Sequence, residues 1–308
     1  MINAKRGIPT CPVGCMYCMA QKIDIRLDYW KDVSRIGMNK SCTFFNRLPQ
    51  DPPLSQMNLP WNLLEGEYLG FQGITDCFWD IFKEDLKYIV EKVKNSNIRK
   101  LCLISKIPID DEQINILLPI KEKLIICYSI TGLNDLEKTT SEERIDSLVK
   151  IRSFGIDAFP VIHPYIHGYC DIEKIMRLLN KNNFKDVNWK GFRYNQNNMK
   201  VLEKYIKKDI LEQYIGNGKE EEILIGDDYL NRLANKYKVK FWDLKEYLHK
   251  EDKYNKLIVN CEQQEYIKKI KIQVGELAKQ CVFSTSAKKT DVIENCINRR
   301  IANVEFNI

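Results

Sequence analysis

Residues 100–130 read KLCLISKIPIDDEQINILLPIKEKLIICYSI, and this run decides the fold class. KLCLIS (100–105) is a short apolar segment that reads as a strand. DEQINILLPIKEK (111–123) spaces its apolar residues three and four apart, so it reads as a helix, with Pro119 as a break. LIICYSI (124–130) is a second apolar strand. A strand, a helical crossover and a strand make a right-handed βαβ unit in a parallel sheet. Cys102 and Cys127, inside the two strands, read as small core residues.

The rhythm extends both ways from this unit. EYLGFQGIT (67–75) reads as a strand and FWDIFKEDLKYIVEKVK (78–94) as a helix. SEERIDSLVKIRSF (141–154) is helical with Ser141 as the expected N-cap. DAFPVIH (157–163) is a strand, DIEKIMRLLNK (171–181) a helix and DVNWKGFRY (186–194) a further strand. Five or six such units are too few for a closed eight-fold barrel, so a partial (βα)6 barrel with a C-terminal extension is expected. The proline-rich stretch 29–66 reads as an irregular insertion over the barrel mouth. The expected division is a core over 1–224 and an extension over 225–308 packed on it. On such sheets the chemistry sits in loops after the strands.

Composition narrows the function classes. The chain has 308 residues, 44% of them hydrophobic, enough for a sizeable core. No run of about 18 apolar residues appears, so no membrane span is expected. The N-terminus MINAKRGIPT lacks an apolar segment of the secretory kind, so a cytoplasmic location is expected. A net charge of +6 permits contact with nucleic acid without requiring it. The 11 cysteines, an odd number, are not a disulfide framework for such a compartment.

Three of them stand apart: Cys11, Cys15 and Cys18, in CPVGCMYC. They lie among Gly and Pro, in a loop, with gaps of three and two residues. Three readings are open. The cysteines are coincidental neighbours; or they hold zinc, which wants four ligands and finds no second CxxC here; or they hold a 4Fe–4S cluster by three thiolates where four are usual, leaving one iron open.

CxxxCxxC with an aromatic residue before the third cysteine, here Tyr17, resembles the signature of the radical S-adenosylmethionine (SAM) superfamily. The resemblance implies that the open iron binds SAM and that one electron, from a donor such as flavodoxin or ferredoxin, cleaves it to a 5′-deoxyadenosyl radical. GCMYC, GITDCFWD, LISK and YSITGLNDLEKTTSEERIDSLVKIRSFGIDAFPVIHPYIHG together are similar to the spore photoproduct lyase branch, over roughly residues 9–183. Matching that branch implies that Thr75 and Asp76 lie near the SAM amino group, although both are also placed to cap a helix. It implies that Lys106 meets the SAM carboxylate and Ser129 the ribose or carboxylate, and that His163 and Tyr165 lie by the adenine. Spore photoproduct lyase carries a donor cysteine where this chain has Gly73, and the segment before the cysteine motif is short here. Both departures argue against that lyase's DNA repair. Cys77, Tyr165 and Tyr194 remain candidates for the hydrogen donor.

Among compact relatives of this branch the chain resembles queuine lyase, which implies a lyase that converts queuine, a small nucleobase, to 7-aminomethyl-7-deazaguanine. In NWKGFRYN, Trp189 and Tyr194 are candidates to stack a deazaguanine and Arg193 to meet its carbonyl edge. Trp189 as core and Arg193 as solvated surface are the plain alternatives. A guanine-type base also wants a carboxylate, for which Glu65, Glu67, Asp76 and Asp80 are available. The competing functions are repair or modification of nucleic acid, using RLDYWK (26–31) and the Lys-rich tail, and radical modification of peptides. The later cysteines, Cys261, Cys281 and Cys296, lack the compact spacing of an auxiliary cluster, and a zinc-binding module is the non-enzymatic alternative.

Overall fold

The computed structural model describes residues 11–18, 36–38, 43–45, 49, 53–56, 61, 68–72, 75–193, 201–215 and 222–242. Eight strands form one sheet in the order of the chain: β1 (Ile36–Met38), β2 (Thr43–Phe45), β3 (Tyr68–Phe71), β4 (Lys100–Ser105), β5 (Leu124–Ser129), β6 (Asp157–Ile162), β7 (Asp186–Trp189) and β8 (Lys240–Phe241). β1 pairs antiparallel with β2, and every later pair is parallel. The helices between them are α1 (Lys83–Lys94), α2 (Asp111–Leu117), α3 (Ser141–Ser153) and α4 (Ile172–Lys181). Beyond β7 come α5 (Lys208–Glu212) and α6 (Asp227–Lys236). Among the described residues the sheet is open, its two edges being β1 and β8.

The βαβ unit at 100–130 is present as read. β4 and β5 run in register from Leu101 beside Leu124 to Ser105 beside Tyr128. All six residues of β5 are buried, as a central parallel strand covered on both faces requires. Pro119 ends α2, and residues Leu118–Lys123 continue as a 3-10 turn rather than an α-helix.

Three local expectations change. α3 is capped by Thr140, not Ser141. Thr140 accepts from the Glu143 amide while the Glu143 carboxylate accepts from the Thr140 amide, a reciprocal capping box. Ser141 instead accepts from the Gly132 amide at 2.9 Å, tying the β5 loop to the helix. Thr140→Ala should therefore cost about 1 kcal/mol of stability, read as a lower urea midpoint at unchanged slope. The stretch 29–66 is not irregular throughout, because β1 and β2 lie in it and join the sheet. The last expected strand stops at Trp189. Gly191 follows, and a Cβ there would lie 2.2 Å from the Ile223 carbonyl oxygen, so only glycine admits the crossing chain.

The described part of the C-terminal stretch packs on the sheet. Leu230, Leu233 and Ala234 of α6 enter the main core, and β8 adds to the β7 edge. No described helix is long and apolar enough to cross a membrane.

Candidate active site at the carboxyl ends of the strands

The loop Cys11–Cys18 lies over the carboxyl end of the sheet. The Met16 amide donates to the Leu136 carbonyl at 2.9 Å and the Lys138 amide to the Val13 carbonyl at 3.3 Å, so the loop is laced to the segment after β5. Val13, Cys15 and Tyr17 are buried there with Leu133, Leu136, Ile166 and Phe192. None of the three is in a disulfide. Burial pushes the Cys11 thiol up to about 12, with Asp76 adding to the effect, and the Cys15 thiol up to about 11, with Lys106 opposing. Cys11 is thus in the field of the loop after β3, and Cys15 in that of the loop after β4.

The loop after β4 is the centre of the site. The Lys106 ammonium, 17% exposed, has three protons, and its partners are the Glu137 carboxylate at 2.9 Å, the Tyr17 hydroxyl and the His163 carbonyl at 3.3 Å. Its backbone is fixed as well: the amide donates to Asp76 at 2.7 Å, and the carbonyl accepts from Thr139 at 2.8 Å and Arg144 at 3.1 Å. Lys106 therefore joins the cysteine loop to the strand ends of β3, β5 and β6.

Glu137 and Arg144 are the residues that the sequence reading missed. Both side chains are fully buried and meet at 2.8 Å. Glu137 also accepts from Thr131 at 2.6 Å, from Lys106 and from the Tyr17 hydroxyl. Burial alone would raise its carboxyl, but Lys106 and Arg144 hold it below the ordinary carboxylate range. Arg144 spends its remaining donors on the carbonyls of Lys106, Ser129 and Thr139 and on the Thr139 hydroxyl. A signal was present: Arg144 shares the buried face of α3 with Leu148 and Ile151, where an arginine demands a buried acid.

The expected site residues fall into three groups. Tyr17, Asp76, Lys106, Ser129 and His163 come together. In that group Asp76 is already saturated: Oδ1 accepts from Phe78 at 3.0 Å and Ser105 at 2.6 Å, and Oδ2 from the amides of Lys106 and Ile107 at 2.7 and 3.2 Å. Four donors fill a carboxylate, so Asp76 clamps the β3 and β4 loops together and does not cap α1, whose N-cap is Phe82. Ser129 donates to the His163 carbonyl. Thr75, beside Asp76, is half-buried and donates to Gln72 at 3.1 Å.

The other expected residues lie apart from this group. Cys77 is 1% exposed and donates to the Ile104 carbonyl, which makes it a core residue closed to substrate. Tyr165 is buried with its hydroxyl against His167 at 2.7 Å and makes no hydrogen bond to the Lys106 cluster. Trp189 is buried, donates to Asp227 at 3.1 Å and packs edge-on against Phe241, so its ring is not free to stack a base. Asp80 is an exposed carboxylate paired with Lys83 at 3.7 Å, not a reader of a buried base. Arg193 is exposed, within the field of Glu222. Tyr194, Gly73, Glu65, Glu67, the 26–31 stretch and the later cysteines lie outside the described residues.

An open parallel α/β sheet, with a three-cysteine loop and a buried lysine–glutamate–arginine knot at its carboxyl end, is the class that fold and site define. Among solved structures, those similar to the chain include spore photoproduct lyase with bound AdoMet and dinucleoside spore photoproduct, at 17% identity and a TM-score of 0.43, over 56% of this chain and 57% of that one. Another is Streptococcus suis SuiB bound to S-adenosylmethionine, at 12% identity and a TM-score of 0.43, over 79% of this chain and 46% of that one. The chain thus spans little more than half of the first and under half of the second. No family model and no curated protein matches it. Spore photoproduct lyase, which the sequence motifs resemble, is therefore among its structural neighbours.

Among the described residues, no group of three or more His, Cys, Asp or Glu is arranged to hold a metal ion. The three cysteines, none in a disulfide, sit on one short loop, and Cys11 feels the field of the other two. Soft thiol donors in this number and spacing fit an iron–sulfur group better than a zinc ion, which takes four protein ligands in a structural site.

Proposed function

We propose that this chain is a radical SAM enzyme, and that its substrate is a small modified nucleobase, queuine, cleaved to 7-aminomethyl-7-deazaguanine. The observation that carries the first part is the docking of Cys11, Cys15 and Cys18 onto the strand ends beside Lys106 and Asp76. The 1–224 core bears the site, and 225–308 is its extension. Cys11, Cys15 and Cys18 hold the 4Fe–4S cluster, and a flavodoxin- or ferredoxin-type protein supplies the electron. When bound, the cluster and SAM supply hydrogen-atom abstraction from an unactivated carbon.

The chain's own residues bind and orient. Lys106 carries a positive charge to the place where the SAM carboxylate arrives, and releases a contact to take it up. Glu137 and Arg144 hold Lys106 at that place without a rotamer search, which is preorganisation. Thr75 would offer a hydroxyl to the SAM amino group, and Ser129, which ties β5 to the His163 carbonyl after β6, would serve the ribose or carboxylate. His163, with a half-exposed imidazole at the end of β6, would lie by the adenine. The buried Val13, Cys15 and Tyr17 of the loop, packed with Phe192 and Ile166, would exclude water from the site.

The support for queuine is the resemblance in motifs and the absence of a cysteine at position 73. The test is an anaerobic assay with reconstituted protein, SAM, reductant and queuine, read by mass spectrometry. Joint appearance of 7-aminomethyl-7-deazaguanine and 5′-deoxyadenosine sustains the reading. Slow 5′-deoxyadenosine with queuine untouched keeps the enzyme class and discards the substrate, and nucleic-acid lesions and peptides are then assayed in turn.

A further inference from the structure

Glu222 is a carboxylate that the sequence reading did not single out, and it stands where a base-reading acid is needed. Phe192 and Ile223 form an isolated antiparallel bridge, with the Phe192 amide donating at 2.9 Å and the Ile223 amide at 3.0 Å. In such a bridge the next opposed pair is Arg193 with Glu222, and the two share a face opposite to Phe192 and Ile223. Phe192 faces the apolar cluster that contains Cys15 and Tyr17. The bridge is therefore one wall between the cysteine loop and the face that carries Glu222 and Arg193.

That face opens on the strand end of β6. The Glu222 carboxylate lies 3.7 Å from the His163 imidazole, beyond hydrogen-bond length. Both side chains keep access to solvent, at 36% and 44%. The His163 carbonyl at the same point accepts from Lys106 and Ser129. Glu222 thus differs from Asp76 and Glu137, whose oxygens are consumed within the protein. The close approach of His163, with Lys190 and Arg193 behind it, outweighs burial and holds the carboxyl below the ordinary range, so it is an acceptor at neutral pH.

We propose that Glu222 and Arg193, set side by side by the Phe192–Ile223 bridge, read the edge of a flat guanine-like heterocycle. Glu222 accepts from its ring N–H and exocyclic amine, and Arg193 donates to its carbonyl. The edge of such a ring runs acceptor, donor, donor. Its complement is one guanidinium N–H followed by two carboxylate oxygens, the groups that an opposed Arg193 and Glu222 bring together. The proposal rests on the nucleobase reading above and names the specificity residue of that site.

The test is direct binding, by anaerobic calorimetry on the full chain with its cluster reconstituted. The two ligands are 7-aminomethyl-7-deazaguanine and the same ring without the exocyclic 2-amino group. Wild type is expected to prefer the amino compound by roughly 10–100-fold, the worth of a hydrogen bond to a charged group. Glu222→Gln, which keeps the shape and replaces one acceptor by a donor, should shrink that preference to within about threefold. Iron content serves as the control for folding and cluster loading. If Glu222→Gln keeps the full preference, the assignment is wrong while the nucleobase reading stands. If wild type binds both rings equally, Glu222 reads no amine and the assignment is again wrong. If wild type, fully loaded with iron, binds neither ring, the substrate reading falls and takes this assignment with it.

Discussion

Cys15→Ala is expected to purify without the brown absorbance of an iron–sulfur cluster and to form no 5′-deoxyadenosine above background. Of the three thiols Cys15 is the most deeply placed, 7% exposed and packed in the apolar cluster beneath the loop. Its desolvation keeps the thiol protonated in the bare protein, so cluster binding must release that proton and affinity must rise with pH. Even residues behind a metal ligand cost about 10–100-fold in affinity or activity when removed. Loss of a ligand from a set of three should exceed that. Cys11→Ala and Cys18→Ala should behave alike, because no single thiol is a spare. The control is Cys102→Ala. Cys102 is more deeply buried still, at 1% exposed, but lies inside β4, packed among Ile125 and Cys127, and should load iron as wild type does. Iron and sulfide analysis with an absorbance spectrum checks all four proteins under one anaerobic protocol. Full iron content and normal 5′-deoxyadenosine in Cys15→Ala would sink the cluster assignment.

The strands of the sheet were legible where burial wrote itself into the sequence. β4 and β5 are apolar runs with charged or turn residues at each end, and their observed bounds differ from the expected ones by a single residue, Ile130. β8 was not legible, because two residues, Lys240 and Phe241, both exposed, carry no pattern; only the β7 edge makes them a strand. β1 and β2 were hidden in the same way, three residues each inside a proline-rich stretch. The site shows the same division. Cys11, Cys15 and Cys18 announce themselves by spacing, and Lys106 by its place after a strand. Trp189 was misleading: its neighbours Arg193 and Tyr194 suggested a base-stacking face, but its partners Asp227 and Phe241 are distant in sequence. Glu137 and Glu222 depend on loop geometry for their meaning. The one is held by Arg144, the other is set beside Arg193 by a bridge that Gly191 permits.

Glu137→Leu is expected to be among the most destabilising single substitutions in the chain. It leaves Arg144, fully buried, without its acid and takes from Lys106 its only charged partner among the described residues. Breaking one side of a buried pair costs about 3–5 kcal/mol. For a chain of this size that is a Tm lower by on the order of 10 °C. Arg144→Met alone should cost less, since Lys106 still neutralises Glu137, although Met cannot replace the donors to the Lys106, Ser129 and Thr139 carbonyls. The double variant Glu137→Leu/Arg144→Met should recover part of the loss, because an apolar pair carries no uncompensated charge. Acid should act on the same knot. Burial works against the Glu137 carboxylate, but Lys106, Arg144, Thr131 and Tyr17 prevail and hold its pKa below 4.5. A depressed folded pKa means stability that is fully present above the unfolded value and drains away as pH falls through the folded one. Wild type should therefore lose stability below about pH 4.5, and Glu137→Gln, which has no proton to take up, should lose less over the same range. Urea midpoints for wild type and the four variants at neutral and acid pH decide it. Equal midpoints for Glu137→Leu and the double variant would show that Arg144 is not stranded by the loss of its acid, and that the knot holds Lys106 in place by packing rather than by charge.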